Sequence, residues 1–172
     1  MTTLYREHFT DLAAREGRAE RPAWLAARRA EALRRFETLG FPTTKNEDWH
    51  YTSLSTLADA SFEPMAAPTG MLTAADVVDF SFGVPSPTVV FVNGRYSSTL
   101  SSLKDLTHGV RVLRLASAVL EEPTLLERYL TRFASIDDQA LTALNTAFLH
   151  DGVVVHVAAG VNARVPIHVL YV

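Results

Sequence analysis

The feature that most constrains the fold of this chain is the two-residue turn Asn93–Gly94. It lies between Thr88–Val92, which is β-branched and aromatic, and Arg95–Ser97, where strand-forming residues return. Asparagine and glycine both tolerate the positive φ angles of a type I′ turn, whose twist matches that of paired strands. The sequence therefore predicts a β-hairpin in which Val92 lies opposite Arg95 and Phe91 lies opposite Tyr96.

The first 60 or so residues have the periodicity of helices. Arg21–Leu39 is predicted as a helix because Pro22 suits the first turn and Gly40 suits the position just after the end. A second helix is predicted over Leu4–Glu16. The apolar side chains that fall on one stripe of the longer helix, and so should be buried, are Leu25, Ala32, Phe36 and Leu39, with Trp24 and Leu33 beside them.

The charged residues of the longer helix predict a solvated face. Glu31 and Arg35 are four positions apart, in the order that favours a surface ion pair. The arginines form a candidate basic patch, but the interleaved Glu31 and Glu37 favour exposure to solvent. The members of that candidate patch are Arg28, Arg29, Arg34 and Arg35.

Beyond the helices the pattern changes several times, which predicts four segments. They are a helical region (1–62), a linker with a short helix (63–87), a region of hairpin, strand and helices (88–150), and a final β region (151–172). Thr73 is predicted to cap the short helix through Asp79, with Asp76 as the acid of a capping box. The other predicted elements are a strand over Val110–Leu115, helices over Glu121–Arg132 and Ile136–Leu149, and strands over Gly152–Val157 and Val165–Val172. The fold class is therefore α+β.

The last predicted strand is apolar on both sides and no polar cap follows it within the sequence. Unpaired strand backbone invites association with another strand. We therefore expect that the chain is a shortened piece of a larger protein. We also expect that its final strand is covered by a second copy when the piece stands alone, so that the piece self-associates.

Composition excludes several classes of function. Cysteine is absent, which removes disulfides, thiol nucleophiles and thiolate metal ligands from this chain. A formal net charge of −3 gives no electrostatic reason to expect nucleic acid as a partner. Neither a membrane-spanning apolar run nor a signal-peptide core is visible, so we expect no membrane partner and a cytoplasmic location.

The stretch Pro42–Leu54, PTTKNEDWHYTSL, is crowded with reactive side chains. An acid–base cluster of Glu47, Asp48 and His50 needs side chains that converge on one atom, whereas neighbours in an extended loop point to different sides. We therefore interpret the stretch as a packing device, with Trp49 and Tyr51 as buried aromatic anchors.

Three histidines near the carboxyl end, His150, His156 and His168, are the candidate metal ligands. Three histidines with an open fourth position suit catalytic zinc. Their spacings of six and twelve match no compact motif, and no Asp or Glu lies within 152–172 to orient a ring. We favour structural or exposed histidines, and we predict no catalytic, cofactor-binding or metal-binding residue and no cofactor.

Two stretches carry a resemblance to a known family: LGFPTTKNEDWHYTSL (Leu39–Leu54) and ALNTAFLHDGVVVHVAAGVNARVPIHVLY (Ala143–Tyr171). In this order, with the hairpin FVNGRY between them, they resemble the amino-terminal part of the SufB/SufD family of iron–sulfur cluster assembly scaffold proteins, and within it the SufD branch. One position departs from the family pattern, since His50 stands where a basic residue such as lysine is expected.

The resemblance implies a non-catalytic scaffold subunit. It implies that the helical region leads into the first rung of a right-handed parallel β-helix, which is truncated here. It also implies SufB-like and SufC-like proteins, the latter an ATPase, as partners of the full-length protein. Two alternatives stay open at this point: a β-helix enzyme fragment, such as a metal-dependent hydratase or a polysaccharide-active protein, and an autonomous protein-binding module.

Overall fold

A computed structural model describes residues 2–16, 21–62, 72–80, 83 and 85–172. The chain forms two compact units, one of Met1–Pro64 with Val119–Leu149 and one of Met65–Ala118 with His150–Val172. Each unit therefore draws on two separate stretches of the sequence. The four-segment division by composition is a different partition of the chain and stays a prediction.

The elements follow one another along the chain in an α+β order. They are α1 (Thr2–Glu16), α2 (Ala23–Leu39), a short 3₁₀ helix (Glu47–Trp49), α3 (Ser55–Asp59), α4 (Ala74–Val78), β1 (Thr88–Val92), β2 (Arg95–Tyr96), β3 (Val110–Arg114), α5 (Leu115–Glu121), α6 (Pro123–Tyr129), α7 (Ala140–Ala147), β4 (Val153–Val157) and β5 (His168–Tyr171). The fold class predicted from the sequence is confirmed at this level. Among the described residues, no helix is both long enough and apolar enough to cross a lipid bilayer.

The boundaries of α2 follow from the two residues that flank it. Pro22 precedes the first turn, where its missing N–H costs nothing. Gly40 ends the helix at φ 67°, a left-handed conformation that glycine adopts without strain, and its N–H donates to the Phe36 carbonyl at 2.8 Å. The predicted helix over Arg21–Leu39 is confirmed to within two residues.

The core of the helical unit lies where α2 packs against α7. Its buried side chains are Ala32, Leu33, Phe36, Ile136, Ala143 and Ala147. Aromatic rings from the neighbouring segments meet Phe36 edge to face, with centroid distances of 5.4 Å to Tyr5 and 5.2 Å to Phe41. The prediction that Leu39 is buried is wrong, because this residue, in the last turn of α2, is 40% exposed.

The prediction of an ion pair between Glu31 and Arg35 of α2 is wrong. Glu31 pairs with Arg28, one turn before it, at 2.9 Å, instead of with Arg35. Arg35 instead reaches Asp137, beyond α6, at 3.0 Å. The i,i+4 rule describes an isolated helix, and here a tertiary neighbour supplies the carboxylate that Arg35 binds.

Arg29 does not belong to a solvated face, because it is only 4% exposed. Its Nε donates to the Ala147 carbonyl at 2.9 Å, and its guanidinium lies 5.6 Å from the centre of the Phe9 ring. A buried cation needs such partners to offset its lost hydration. Arg29 therefore fastens α2 to the end of α7, which is a structural role.

The β unit contains the predicted hairpin in its predicted register. β1 and β2 pair antiparallel, with Phe91 opposite Tyr96 and Val92 opposite Arg95. Asn93 and Gly94 have φ angles of 50° and 76°, as a type I′ turn requires. The hairpin prediction is confirmed.

The remaining strands form one parallel and one antiparallel pair. β5 pairs parallel with β1, from Thr88 opposite His168 to Phe91 opposite Tyr171, which gives the three-strand order β2-β1-β5. β3 and β4 pair antiparallel in a separate sheet. One parallel pair is less than a rung of a parallel β-helix, so that finer part of the predicted fold stays a proposal.

The helices were predicted less accurately than the strands. The helix predicted over Glu121–Arg132 is observed only over Pro123–Tyr129, as α6, with the separate helix α5 before it, because Pro123 cannot continue a preceding helix. α7 begins only at Ala140, so Asp137 and Asp138 precede it. The capping box at Thr73 is confirmed, since its hydroxyl accepts from the Asp76 N–H and the Asp76 carboxylate accepts from the Thr73 N–H.

Candidate functional site

The three candidate histidines occupy different positions in the β unit. His150 precedes β4, His156 lies within β4 opposite Arg111, and His168 starts β5 with its N–H donating to the Pro87 carbonyl at 2.8 Å. In the described ranges of the chain, no group of three or more side chains suited to a metal ion occurs. The structure therefore does not bring these histidines together as a ligand set.

The Nδ1 atom of His156 is buried and has no hydrogen-bond partner among the described residues. In β4 the less exposed positions alternate with exposed ones, and His156 falls on the same side as Val154, as strand alternation predicts. A single imidazole without a neighbouring ligand set fits a packing role better than a metal site.

Asp151 is the ionisable residue that sequence reasoning missed. Its fully buried carboxylate accepts from Arg114 Nε at 2.7 Å, and from the N–H groups of Gly152 and Ala116 at 3.0 and 3.3 Å. The hydrogen bonds from these three donors replace those that the carboxylate would accept from water if it were exposed. The available signal was the Asp-Gly pair at the start of a strand, but the partner Arg114 is 37 residues away. Asp151 joins the start of β4 to the end of β3.

The crowded stretch 42–54 forms a turn and a 3₁₀ helix on the surface of the helical unit. Asn46 Oδ1 accepts from the Thr43 N–H at 2.9 Å, and His50 Nδ1 lies 3.2 Å from the Thr44 carbonyl. The Glu47 and Asp48 side chains are both exposed, and Asp48 has a long contact of 3.5 Å with Gln139. These hydrogen bonds shape the loop and do not converge on a common substrate position.

The two predicted aromatic anchors of this stretch behave differently. Trp49 is half-buried, as an anchor requires, but Tyr51 is 96% exposed, so its prediction as an anchor is wrong. The Tyr51 ring meets the neighbouring His50 ring edge to face, with centroids 4.7 Å apart. The physical reason is local: the chain turns at residues 50–51, directly after the 3₁₀ helix, and leaves the ring in solvent.

The helical unit has an apolar hollow of about 380 Å³ beside α1 and α7. Its wall contains Tyr5, Phe62, Leu144 and Phe148, with His8 and Asn145 as its polar members. Burial raises the pKa of the Tyr5 hydroxyl, which keeps that group neutral. No nucleophile–base pair or phosphate-binding loop accompanies the hollow in the described part of the chain, so it presents shape and apolar surface.

The parallel pair β1–β5 joins the last strand of the sequence to the hairpin. The Phe91 and Tyr171 rings stack across it, with centroids 5.0 Å apart and planes inclined by 13°. The Val172 N–H donates to the Phe91 carbonyl and the Asn93 N–H donates to the Val172 carbonyl, both at 2.8 Å. Within the described residues, β5 is the last strand of the order β2-β1-β5, so its outer edge has no strand neighbour.

The chain was compared with known proteins. It is 27% identical over 135 residues to an iron–sulfur cluster assembly SufBD family protein of Synechocystis sp. (strain ATCC 27184 / PCC 6803 / Kazusa). The matched segment covers 78% of this chain and 29% of that protein. It is 26% identical over 160 residues to the iron–sulfur cluster assembly protein SufD of Bacillus subtilis (strain 168). Here the matched segment covers 89% of this chain and 36% of that protein.

The chain thus spans about a third of the length of these curated relatives. The family described as SufBD protein N-terminal region matches residues 1–169, which is nearly the whole sequence. The parts of the chain that carried the resemblance, the loop at 39–54 and the helix-to-strand junction at 143–171, both lie within or overlap this match. The chain belongs to the SufBD N-terminal region family.

Proposed function

We propose that this chain serves iron–sulfur cluster assembly as the amino-terminal portion of a SufD-like, non-catalytic scaffold subunit. The observation that carries the proposal is the family match over residues 1–169. Both relatives named above are iron–sulfur cluster assembly proteins, and one of them is SufD. The cluster is the cargo of this process, not a resident cofactor of this chain.

The chemistry of the chain supports a scaffold role. Cysteine is absent, so thiolate ligands for a cluster must come from other chains or from other parts of the protein. Two buried charged groups, those of Asp151 and Arg29, join secondary-structure elements. Polar groups that hold the fold together are not available to act on a substrate, which supports a scaffold role over catalysis.

The β unit supports the finer proposal of a parallel β-helix. A solenoid of this kind grows by adding strands in parallel, each covering the edge of the one before. The pair β1–β5 is parallel, and the outer edge of β5 is open in the described part of the sheet. We place the first rung of the β-helix here, with SufB-like and SufC-like proteins as partners of the full-length protein in the cytoplasm.

The open edge of β5 also supports the proposal that the isolated 172-residue chain self-associates. Tyr171 is exposed on this strand and offers a position for a charge. Sedimentation velocity of the isolated chain should show a concentration-dependent dimer that Tyr171→Lys weakens. A monomer at all concentrations would contradict self-association and would leave the scaffold proposal intact.

Co-purification tests the scaffold proposal. The protein encoded by the gene that contains this sequence is co-expressed with the SufB-like and SufC-like proteins of the same organism, with the tag on the SufB-like protein. We expect all three to elute together at a fixed ratio in size-exclusion chromatography. Elution of this protein alone, while the other two elute as a complex, would contradict the proposal.

Metal analysis distinguishes the proposed scaffold function from the alternative function of a metal-dependent hydratase. Tag-free protein is analysed for zinc, with His156→Ala as the matched variant, because its Nδ1 is the orphaned ring atom. We expect no stoichiometric zinc in either protein. One equivalent of zinc that is lost in the variant would favour the enzyme.

A further inference from the structure

A basic groove lies between α2 and the loop that follows α6, within the helical unit. We define it by the residues used below: Trp24, Arg28, Glu31 and Arg34 of α2, with Thr131 and Arg132 of the loop. Its volume is about 420 Å³, which lies in the range of about 300–1,000 Å³ usual for ligand sites. No part of the proposed scaffold function uses this groove.

The charges in the groove are unbalanced. Three arginines face one glutamate, and that glutamate is already held by Arg28 at 2.9 Å. Arg34 is exposed and has no ion-pair partner among the described residues. The groove therefore carries an excess of two positive charges, on Arg34 and Arg132.

Two local features mark the groove. The Trp24 side chain contributes to its lining, while the Nε1 atom of that indole is itself buried and has no hydrogen-bond partner in the described part of the chain. Thr131 has φ 60°, a strained conformation for a β-branched residue, and its carbonyl accepts from Arg28 Nη2 at 3.2 Å. The hydrogen bond thus joins the loop to α2 in this conformation.

The composition of the groove and its rim resembles that of protein interfaces. Trp, Tyr and Arg are the residues most enriched at the energetic centres of such interfaces. Next to Arg132, Phe133 is 85% exposed, and Tyr129 at the end of α6 is exposed as well. Exposed apolar rings that lie together mark surfaces that bind other proteins.

We infer that this groove docks an acidic segment of a partner protein, whose carboxylates bind Arg34 and Arg132 beside the Trp24 indole. Guanidinium groups bind carboxylates in a two-pronged geometry that suits this task. The inference does not depend on the role in cluster assembly.

The two tryptophans of the chain make the test specific, because each gives one indole N–H signal in a ¹⁵N–¹H NMR spectrum. Trp24 reports on the groove, and Trp49, outside the groove, is an internal control; Trp49→Phe assigns the two signals. The probe is a glutamate-rich synthetic peptide of about ten residues with two leucines. A peptide with lysine in place of every glutamate is the control probe.

We expect the acidic peptide to shift the Trp24 signal and not the Trp49 signal, and the lysine peptide to shift neither. Arg34→Glu and Arg132→Glu should each weaken binding by about tenfold or more, and added salt should weaken it further. The matched control Arg95→Glu, the same charge change on the hairpin, should leave the affinity unchanged. Circular dichroism confirms that each variant is folded.

Three results would overturn the inference. One is that the acidic peptide leaves the Trp24 signal unmoved. Another is that Arg95→Glu weakens binding as much as the two groove variants, which would show a nonspecific effect of net charge. The last is that single-stranded oligothymidylate shifts the Trp24 signal while the acidic peptide does not, which would assign the groove to nucleic acid.

Discussion

The Arg6 guanidinium donates two parallel hydrogen bonds to the Glu37 carboxylate, each 2.7 Å long, and so ties α1 to α2. The two residues are 31 positions apart, and the Glu37 side chain is mostly buried by the contact. An ion pair with two parallel hydrogen bonds is stronger than an ordinary surface ion pair. It lowers the pKa of Glu37, first through the hydrogen bonds from Arg6 and then through its charge.

This ion pair gives the helical unit a predictable dependence on pH. Because the pKa of Glu37 is lowered by folding, its contribution to stability is full above the ordinary value of 4.5 and is lost as the pH falls through the folded pKa. We expect Glu37→Gln to lower the melting temperature at pH 7 and to have progressively less effect below pH 4.5. Calorimetry of both proteins from pH 7 to 3 measures this, and an equal difference at every pH would contradict it.

Among the glycines that the structure describes, Gly109 has the least space around it. A side-chain carbon built there would lie 2.6 Å from Val161 Cγ2, and φ is 85°. We expect Gly109→Ala to destabilise the protein by about 2–4 kcal/mol, from backbone strain and overpacking together. Gly160→Ala is the matched control, since φ is 76° with no atom within 4 Å, and should cost only about 1–2 kcal/mol. Denaturant unfolding compares them, and Val161→Ala should partly rescue Gly109→Ala.

Gly94 tests the hairpin turn without a steric contribution, because a side-chain carbon there would meet no atom within 4 Å. Gly94→Val should cost about 1–3 kcal/mol, since a β-branched residue is strained at φ 76°. Gly94→Asn should cost less, because asparagine tolerates the left-handed region. Equal stability of the valine variant and the parent in urea unfolding would contradict the type I′ assignment.

Trp49 and Tyr51 form a natural pair for testing which aromatic ring holds the loop. Trp49 is half-buried and Tyr51 is almost fully exposed. We expect Trp49→Ala to cost about 1–3 kcal/mol, below the 3–5 typical of a fully buried ring, and Tyr51→Ala to change stability by less than about 0.5 kcal/mol. Thermal unfolding measures both. Loss of cluster assembly without loss of stability in the Trp49 variant would show a direct functional role.

Local chemistry decided what the sequence alone could predict. The register of β1 and β2 follows from two turn residues, and the ends of α2 follow from Pro22 and Gly40, so these predictions were confirmed. The parallel partner of β1 was not predictable in this way, because β5 lies about 80 residues away and nothing local specifies the pairing. For the same reason the carboxylate that Arg35 binds, Asp137, was missed.

The candidate sites show the same division between local and tertiary information. Asp151 and Arg114 meet only because β3 and β4 pair. The basic groove forms only because the loop after α6 folds back onto α2 and adds Arg132 to Arg34. The one local signal in the sequence was the row of arginines on α2. We interpreted that row as a solvated face, because glutamates lie among the arginines and offset their charge.

The central claim, a role in iron–sulfur cluster assembly, is tested most directly in the organism that carries the gene. The gene is deleted, and the activity of aconitase, which requires an iron–sulfur cluster, is measured beside that of malate dehydrogenase, which holds none. We predict that aconitase activity falls several-fold at an unchanged amount of its polypeptide, that malate dehydrogenase is unaffected, and that the restored gene reverses the loss. Unchanged aconitase activity in the deletion strain under iron limitation would contradict the account.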